Sequence, residues 1–447
     1  MWHKKWLLLA GVSLGFFLIY LVWNLGSIGT VRYKQSKKTR YSVWPEFESS
    51  SPIDNGYFSS QCVKGGNYSI TGLANITHKW AQSRNPLCQT YYNKWLNIFT
   101  FVTRKATLNI PERFQKKVRS WLSNNEDLFQ KVYDQDVIHV VSEYTREHTI
   151  FNPLRDKRPV LPPDQPESNY LNKLMKNTAE NCDFCQFKEF TAEHRFGRVE
   201  SSHAFSASNI FKIDSLHALL ALKKHDPLHW NLNEFLDLFD LTETWLNKAH
   251  AHHPEARYPS LVWDILPKCG ASQVHPHMHV VLDFERHHGE VEAWRKGGQE
   301  YFSDHNSNYF SDLVAVYSAL NLTQTYGTAV AFASLVPRKD HEVVVMAKEA
   351  NLDFYTLLYS VLRAFLDDLH KMCFSMGMGL PAIGVPEGKL PAYARVITRG
   401  YITDIRADIS SLEMFMATNV NIDPFKTIEI VRNSVRNKQA ADGLQSS

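Results

Sequence analysis

The longest apolar run of the chain lies at its N-terminus. Residues 6–23, WLLLAGVSLGFFLIYLVW, contain no charged side chain. Because a bilayer span needs about 20 apolar residues, this run together with Leu25 predicts a transmembrane anchor over residues 6–25, behind a short tail of residues 1–5. A cleaved secretory signal peptide is the alternative, although its apolar core is normally only about 7–15 residues long.

The region that follows, residues 26–150, is predicted to be a stem and a helical N-terminal region. Residues 27–66 are polar and read as the stem. Apolar residues then follow helical spacing between positions 80 and 144. Pro111 predicts the start of one helix, residues 113–122, because proline suits the first helical turn.

A strand–helix–strand plan occurs twice after residue 150. The predicted elements are strands 216–222, 261–263 and 274–283 with helix 233–249 in the first copy, and strands 342–347 and 390–398 with helix 353–373 in the second. The two copies are about 120 residues apart. The helices are recognised by their 3.6-residue apolar period and the strands by alternation or short apolar runs. This repetition indicates an internally duplicated α+β unit.

Composition argues against one class of partner, and the histidines are unevenly distributed along the chain. The chain has 447 residues, of which 44% are hydrophobic and 21% charged, as in an ordinary globular protein. Its 49 basic and 46 acidic side chains give a net charge of +3, which argues against a nucleic-acid partner. Fourteen of the 20 histidines lie between positions 194 and 305, so this part of the chain is where imidazole chemistry is expected.

The sharpest motif is a triplet of histidines at a spacing of two, His275, His277 and His279. On a strand, side chains at this spacing point to the same face, so the three imidazoles are expected to be neighbours. A solvated polar face is the alternative interpretation. The preceding Gly270-Ala-Ser turn and the apolar Val-Val-Leu after His279 instead indicate a structured site.

A second motif is Cys182-Asp-Phe-Cys185. Two cysteines at this spacing form a redox pair, a disulfide or half of a tetrahedral zinc site. Since the chain contains no second motif of this kind, the remaining zinc ligands would have to be histidines. Besides the triplet, the possible ligands are His203, His217 and His225.

Charge distribution and glycosylation sequons make opposite predictions about the cellular compartment of the main domain. The basic residues that follow the apolar run, among them Arg32, Lys37 and Arg40, favour a cytoplasmic C-terminal side. Sequons for N-glycosylation at Asn67, Asn75 and Asn321 favour the lumen. Two of the three lie between Cys62 and Cys88, which would suit a lumenal disulfide. We therefore expect a single-pass membrane protein of the secretory pathway, in the Golgi or ER, with a lumenal catalytic domain.

Two stretches carry a family resemblance. Gly270-Ala-Ser-Gln-Val-His-Pro-His-Met-His279 resembles the signature of the histidine-triad (HIT) superfamily, most closely its galactose-1-phosphate uridylyltransferase branch. Asn152-Pro-Leu-Arg-Asp-Lys-Arg-Pro159 is similar to the segment with which that branch grips nucleotide phosphates. The resemblance covers residues 150–435 and implies an α+β fold of two HIT-like halves, each an antiparallel sheet with helices.

The resemblance also implies domain bounds and roles for named residues. Residues 151–300 would be the first half, with the zinc and the catalytic triad, residues 301–435 a degenerate second half, and residues 436–447 a flexible tail. The implied structural Zn²⁺ ligands are Cys182, Cys185, His225 and His275. His277 would be the nucleophile, with His279 beside it. The implied contacts to nucleotide phosphates are Arg155, Arg158, Asp264, Ser272 and Gln273.

Four positions depart from the uridylyltransferase pattern. His279 replaces a glutamine and is what the histidine-triad hydrolases carry. Asp264 stands where an asparagine is expected, and Tyr393 and Arg395 stand where some members keep histidines, so a second metal site is not expected. Nucleotidyl transfer between a nucleotide sugar and a sugar 1-phosphate or phosphate is the function that the resemblance implies. A nucleotide hydrolase or phosphorylase, and an inactive membrane-anchored protein that binds a nucleotide or a protein, are the alternatives. The resemblance also suggests a homodimer.

Overall fold

The computed structural model describes residues 46–48, 55–159, 165–385, 390–404 and 406–445. The described residues belong to one compact unit, Val43–Ser447. The predicted transmembrane anchor, residues 6–25, and the tail before it lie outside the described residues. Among the helices that are described, none combines the length and the apolar character needed to cross a membrane.

A nine-stranded antiparallel sheet is the centre of the fold. Its strands are β4 (Ala204–Ser208), β5 (His217–Leu222), β6 (Tyr258–Asp264), β7 (His277–Asp283), β8 (Thr323–Tyr326), β9 (Ala329–Ala333), β10 (Val343–Ala347), β11 (Phe374–Gly379) and β12 (Ala392–Thr398). They lie in the order β4-β5-β7-β6-β11-β12-β10-β9-β8. Several of these strands are buried along their whole length, which is why they read as short apolar runs rather than as strict alternation.

The sheet order contains the same unit twice. Strands β4, β5, β6 and β7 form one block with helix α8 (Leu232–His252) after the second strand, and β9, β10, β11 and β12 form the other with helix α11 (Leu352–Arg363) in the same place. The two blocks meet where β6 pairs with β11. The α+β class is therefore confirmed, and the strand–helix–strand repetition is present in the structure.

Both repeated helices begin with an asparagine cap and bury one face. The Asn231 side chain accepts a hydrogen bond from the Glu234 amide, and the Glu234 carboxylate accepts one from the Asn231 amide, which forms a capping box. Asn351 caps α11 in the simpler way, through the Phe354 amide. Helix α11 ends at Arg363, ten residues before the predicted end, because a π-helical turn, Ala364–Asp368, follows it.

The N-terminal region differs from its prediction. Its elements are α1 (Asn55–Gln61), α2 (Leu73–Ala81), α3 (Pro86–Ile98), β1 (Phe99–Thr107), α4 (Glu112–Trp121), α5 (Glu126–Val132), β2 (Asp134–Ser142) and β3 (His148–Phe151). The helix predicted at residues 113–122 is confirmed as α4 within one residue. The prediction of helical structure across positions 80–144 is wrong at β1 and β2. These strands pair with each other along their full length, a long-range contact that overrides local spacing.

The predicted stem is also shorter than expected. Phe58, Cys62 and Val63 are buried in the main core, so the residues from Asn55 onward belong to the globular body. Cys62 and Cys88 form a disulfide, as the sequence suggested. A second disulfide, Cys269–Cys373, was not predicted. It links the segment before the histidine triplet to the start of β11.

The remaining helices complete the body. They are α6 (Glu167–Ala179), α7 (Phe187–Phe190), α9 (Gly289–His305), α10 (Tyr309–Ala319), α12 (Ser411–Phe415) and α13 (Pro424–Gln445). Strand β13 (Thr418–Val420) joins β1, β2 and β3 in a second, four-stranded sheet. Because α13 continues to Gln445, residues 436–445 are helical, and their prediction as a flexible tail is corrected.

Candidate functional site

Four side chains from three separate segments meet beside the histidine strand. Cys182 and Cys185 lie on the turn after α6, His225 follows β5, and His275 precedes β7. Their ligand atoms all lie within 4.8 Å of one another. The Cys182 Sγ–His275 Nδ1 and Cys185 Sγ–His225 Nδ1 distances are both 3.5 Å, and Cys185 Sγ–His275 Nδ1 is 3.6 Å.

These separations suit one tetrahedral ion. With Zn–S of about 2.3 Å and Zn–N of about 2.0–2.1 Å at the tetrahedral angle, a sulfur and a nitrogen ligand stand about 3.5 Å apart. Burial, and then the hydrogen bond with Cys182, raise the pKa of Cys185 to about 11. The Cys185 thiol would therefore need a cation beside it to become a thiolate at neutral pH. Both cysteines are free, so this pair is not a disulfide.

Hydrogen bonds orient both histidines toward this point. His275 Nε2 donates to the Leu222 carbonyl at 2.5 Å, which leaves its Nδ1 lone pair facing the cysteines. His225 Nε2 lies 3.1 Å from Thr178 Oγ1. Since the Thr178 hydroxyl donates to the Leu174 carbonyl, it accepts from His225 and leaves Nδ1 of that ring free as well. A metal-binding histidine commonly has its second nitrogen held in this way.

The other two triplet histidines line a separate cavity of about 240 Å³. His277 and His279 share it with Ser272 and Gln273. Phe184, between the two cysteines, also lines it and contacts the rings of His275 and His277 edge-on. Phe184 therefore lies where the cysteine and histidine cluster adjoins the cavity.

His277 is held as a neutral base. Its Nδ1 donates to the His275 carbonyl at 2.8 Å, so the lone pair is on Nε2. Burial lowers the pKa of His277 to about 4. A neutral imidazole with an unprotonated Nε2 is a nucleophile at pH 7.

His279 is held in the opposite tautomer. The Ile213 amide donates to His217 Nδ1 at 3.2 Å, so the proton of a neutral His217 is on Nε2. His217 Nε2 lies 3.0 Å from His279 Nδ1 and donates to it. The remaining nitrogen of His279, Nε2, then carries a hydrogen. His217, considered from the sequence as a metal ligand, instead orients His279.

Three predicted phosphate-binding residues lie elsewhere. Arg155 and Arg158 line a different cavity, which shares no lining residue with that of His277. Asp264 does not line the His277 cavity either. Its Oδ1 accepts a hydrogen bond from the Ser375 hydroxyl at 2.5 Å. Burial lowers the pKa of His279, and the negative charge of Asp264 partly offsets that shift. Asp264 is thus engaged by the second half of the sheet.

Sequence reasoning missed an apolar rim on the His277 cavity. Phe190, Ile210 and Phe211 line it, and Ile210 and Phe211 are 73% and 87% exposed. The signal was available: apolar side chains interrupt the polar connection between β4 and β5. Exposed aromatic residues at a concave site are typical of ligand binding.

The described part of the second half, residues 301–385, 390–404 and 406–435, has no equivalent site. Val262 and Gly377 pair across the junction of the halves, and their other neighbours are His279 and Arg395. Arg395 therefore occupies the position equivalent to His279. It is buried in ion pairs with Glu147, Glu290 and Glu342. Among the described residues, the only other group that could hold a metal is Asp214, Asp283 and His288, in the first half.

The structure is a duplicated sheet in which, as far as the chain is described, the histidine cavity belongs to the first half. The structure is similar to that of an ADP-glucose phosphorylase from Arabidopsis thaliana with bound ADP-glucose. That chain is 14% identical, the match covers 66% of this chain and 98% of that one, and the TM-score is 0.52. At this identity the likeness establishes the fold alone, which is the one implied by the resemblance to the galactose-1-phosphate uridylyltransferase branch.

Two further solved structures are similar at lower scores. A uridylyltransferase is 14% identical, with coverage of 67% of this chain and 99% of that one and a TM-score of 0.47. A GalT-like protein from Arabidopsis thaliana is 14% identical, with 57% and 92% coverage and a TM-score of 0.46. No protein-family model and no curated protein sequence matches the chain.

Proposed function

We propose that the protein is a nucleotidyltransferase that works through a covalent nucleotidyl-histidine at His277. The observation that carries this proposal is the hydrogen bond from His277 Nδ1 to the His275 carbonyl. It leaves Nε2 as the basic atom of a buried imidazole beside a cavity of about 240 Å³. The substrates would be a nucleotide sugar and a sugar 1-phosphate or phosphate.

Two displacements would make up the reaction. His277 Nε2 attacks the α-phosphorus of the nucleotide, an N–P bond forms, and the bond from that phosphorus to the bridging oxygen breaks. The leaving sugar 1-phosphate takes the electron pair. The acceptor oxygen then attacks the same phosphorus and returns the electron pair to Nε2. Splitting one difficult step into two easier ones is the advantage of covalent catalysis.

The surrounding residues would support the charges that develop. In the adduct the His277 ring keeps its Nδ1 proton and becomes imidazolium-like, and the His275 carbonyl stabilises that charge. The Nε2–H of His279 would donate to a phosphate oxygen. Ser272 and Gln273, which line the cavity, supply further donors.

Cys182, Cys185, His225 and His275 would hold a zinc ion. The ion would have a structural role, since four protein ligands complete a tetrahedron and leave no position for substrate. It would fix the start of the histidine strand, because His275 is both a ligand and the acceptor that orients His277.

The apolar rim would receive the nucleobase. Phe190 and Phe211 present aromatic rings at the cavity, and stacking on such rings suits a flat base. The similar phosphorylase is bound to ADP-glucose. An adenine nucleotide sugar therefore joins the uridine sugars among the substrates to be tested.

A phosphorylase or hydrolase is the second proposal, and the His217–His279 pair favours it. A histidine whose Nε2–H is set by a fixed partner can donate to the leaving oxygen or orient phosphate or water as the acceptor. The two proposals share the first step at His277 and differ only in the acceptor. Nucleotide binding without turnover, the third alternative, predicts no adduct.

The test is the intact mass of purified full-length protein after incubation without an acceptor. The panel is UDP-glucose, UDP-galactose, ADP-glucose, GDP-mannose and diadenosine tetraphosphate. We expect a nucleoside monophosphate adduct, whose added mass identifies the base. His277→Asn should abolish it, whereas His252→Asn, an exposed histidine that does not line the cavity, should retain it.

The acceptor is then identified by adding sugar 1-phosphates, inorganic phosphate or buffer alone to the adduct. Discharge by a sugar 1-phosphate supports the transferase, by phosphate the phosphorylase, and by water the hydrolase. An adduct that persists in His277→Asn would exclude His277 as the nucleophile. Nucleotide binding with neither adduct nor product would favour the inactive binding protein.

We further propose a lumenal location, supported by the two disulfides Cys62–Cys88 and Cys269–Cys373. Disulfides persist in the secretory pathway and are rare in the cytosol. The membrane anchor at residues 6–25 and a homodimer stay predictions. Fluorescence protease protection of a C-terminally tagged chain tests the orientation.

A further inference from the structure

Ser272 and Gln273, which line the His277 cavity, are not held by polar contacts of their own. Neither residue makes a hydrogen bond, through its backbone or its side chain, to any residue that the structure describes. Their positions therefore depend on the chain before and after them. His275 follows them and is fixed by its hydrogen bond to the last residue of β5. The support on the other side comes from residues 267–271.

We call residues 270–273 the donor turn. It begins at Gly270, whose φ of +122° is one that residues with a side chain rarely adopt. The Gly270 and Ala271 amides donate to backbone carbonyls three and five residues earlier, at 3.1 and 3.3 Å. A side chain at position 270 would meet Asp264 Oδ2 at 3.2 Å, so the turn passes directly beside that carboxylate. A shift at the first residue of the turn would therefore move the two donors that follow it.

Arg399, which follows β12 in the second half, holds the start of the donor turn. Its Nη1 donates to the Cys269 carbonyl at 2.8 Å and to Ser375 Oγ at 2.9 Å. Its Nε and Nη2 donate to the two carboxylate oxygens of Asp408 at 2.7 and 2.8 Å. The Arg399 and Asp408 side chains are only 12% and 13% exposed. A buried guanidinium that bonds to both oxygens of one carboxylate has a fixed orientation.

Two further contacts from the second half hold the residues just before the donor turn. Cys269 forms a disulfide with Cys373, which directly precedes β11. Lys268 Nζ donates to the Asp404 carbonyl at 2.7 Å and also to the Arg406 carbonyl. The backbone carbonyl and the side chain of Cys269, and the side chain before it, are thus all bound by the second half.

We propose that the second half positions the donor turn for nucleotidyl transfer, and that Arg399 is the positioning residue. This inference rests on the proposed function of the His277 cavity. Arg399 does not line that cavity, so it acts through the Cys269 carbonyl rather than on the substrate. Donors that are already in place when charge develops on phosphate need no reorganisation during the reaction. A misplacement of about 1 Å can lower a rate about 100-fold.

The first experiment measures the rate of adduct formation in full-length Arg399→Gln, with the five nucleotides of the panel at saturating concentration. We expect a rate about tenfold lower, because the Cys269 carbonyl loses its donor. Arg399→Lys can still donate to that carbonyl and should recover part of the rate. Lys339→Gln is the matched control and should stay within about twofold. Lys339 pairs with Glu413 and donates to the Asp408 carbonyl, but it makes no hydrogen bond to a described residue of the first half.

A second pair of variants removes the covalent contact and serves if Arg399→Gln does not fold. Cys269→Ala/Cys373→Ala should slow adduct formation about fivefold, because the donor turn then keeps only its polar contacts. Cys62→Ala/Cys88→Ala is its control, since it removes the other disulfide, which lies in the N-terminal region, and it should stay within about twofold. Equal losses in the two disulfide variants would contradict the proposal.

Hydrogen exchange of the Gly270 and Ala271 amides, measured by mass spectrometry without substrate, tests the position of the turn directly. Exchange should be about tenfold faster in Arg399→Gln and unchanged in Lys339→Gln, because an amide whose hydrogen bond opens more often exchanges faster. Unchanged exchange in Arg399→Gln, or equal loss of rate in these two variants, would overturn the proposal. If the unmodified chain forms no adduct, the proposed function fails, and the exchange result still decides whether the second half holds the turn.

Discussion

Replacing Arg395 with methionine should destabilise the protein strongly. The guanidinium is buried and bonds to Glu147 at 2.5 Å and Glu342 at 2.6 Å, and it also pairs with Glu290. The side chains of Glu147 and Glu342 are 4% and 0% exposed. Methionine keeps much of the volume and removes the charge, so two deeply buried carboxylates lose their principal cation.

The magnitude follows from burial. Breaking a buried ion pair by removing one partner costs about 3–5 kcal/mol, because the other charge is left without compensation. In the variant, Arg338 remains 3.5 Å from Glu147 and 3.4 Å from Glu290, and the Glu290 side chain is 38% exposed. The charges of these two carboxylates are therefore still partly compensated. Glu342 keeps only the Arg338 amide at 2.8 Å. We therefore expect about 4 kcal/mol, mostly from Glu342.

The loss should also depend on pH. Burial already raises the pKa of Glu342, and without Arg395 it should rise further. A carboxyl whose pKa is higher in the folded than in the unfolded state destabilises the protein above the folded pKa. This destabilisation disappears as the pH falls toward the unfolded value. The difference between variant and unmodified chain should therefore shrink between pH 7 and pH 5.

Urea unfolding of the full-length chain, followed by tryptophan fluorescence at pH 7 and pH 5, measures both effects. Arg146→Met is the control. Its pair with Glu300 is 73% and 54% exposed, and removing an exposed pair should change stability by less than about 1 kcal/mol. A loss in Arg395→Met of under about 1 kcal/mol at pH 7, or one that does not change with pH, would refute the reasoning.

Three other predictions concern the site and the surface. Cys182→Ser should remove bound zinc and lower the unfolding temperature, because metal binding contributes to folding. Mass spectrometry of the metal measures the zinc content, and an unchanged zinc content would contradict the ligand set. His217→Phe should slow discharge of the His277 adduct about tenfold and alter the pH profile of that rate, and His217→Gln should restore the rate in part. An unchanged rate in His217→Phe would show that His279 needs no orienting partner. When the protein is expressed through the secretory pathway, the exposed Asn67 and Asn75 should be glycosylated. Asn321 should not be, because its side-chain oxygen accepts a hydrogen bond from Arg432. Mass shifts after deglycosylation of single Asn→Gln variants check this.

The histidine strand shows how far local sequence reaches. A spacing of two on a strand determines that His275, His277 and His279 share a face, since strand geometry depends only on neighbouring dihedral angles. Resemblance added the ligand set with Cys182 and Cys185, and the structure brings those side chains within reach of one ion. The side chains that spacing and resemblance grouped together are therefore neighbours in the structure, and their roles stay predictions.

The arginine turn shows where that reasoning ended. Arg155 and Arg158 were assigned to the nucleotide phosphates, but their position depends on β3 and on the segment after β12, which are about 250 residues apart in the chain. Likewise, the helical spacing of residues 99–107 did not reveal that β1 would pair with β2. Contacts between distant segments depend on the whole packing and leave no local periodicity.

The sequence by itself determined the α+β class, the duplicated plan, the histidine face and the cysteine pair. Each of these follows from short-range periodicity or from motif spacing, which depends only on residues close together in the chain. Only the tertiary structure decided the tautomers of His277 and His279 and the separation of the two cavities. The tautomer of His279 depends on the His217 ring, which donates to it from the neighbouring strand β5, and that of His277 depends on where the folded backbone places the His275 carbonyl. A side chain's chemistry is set by the neighbours that folding brings to it, and these cannot be read from spacing.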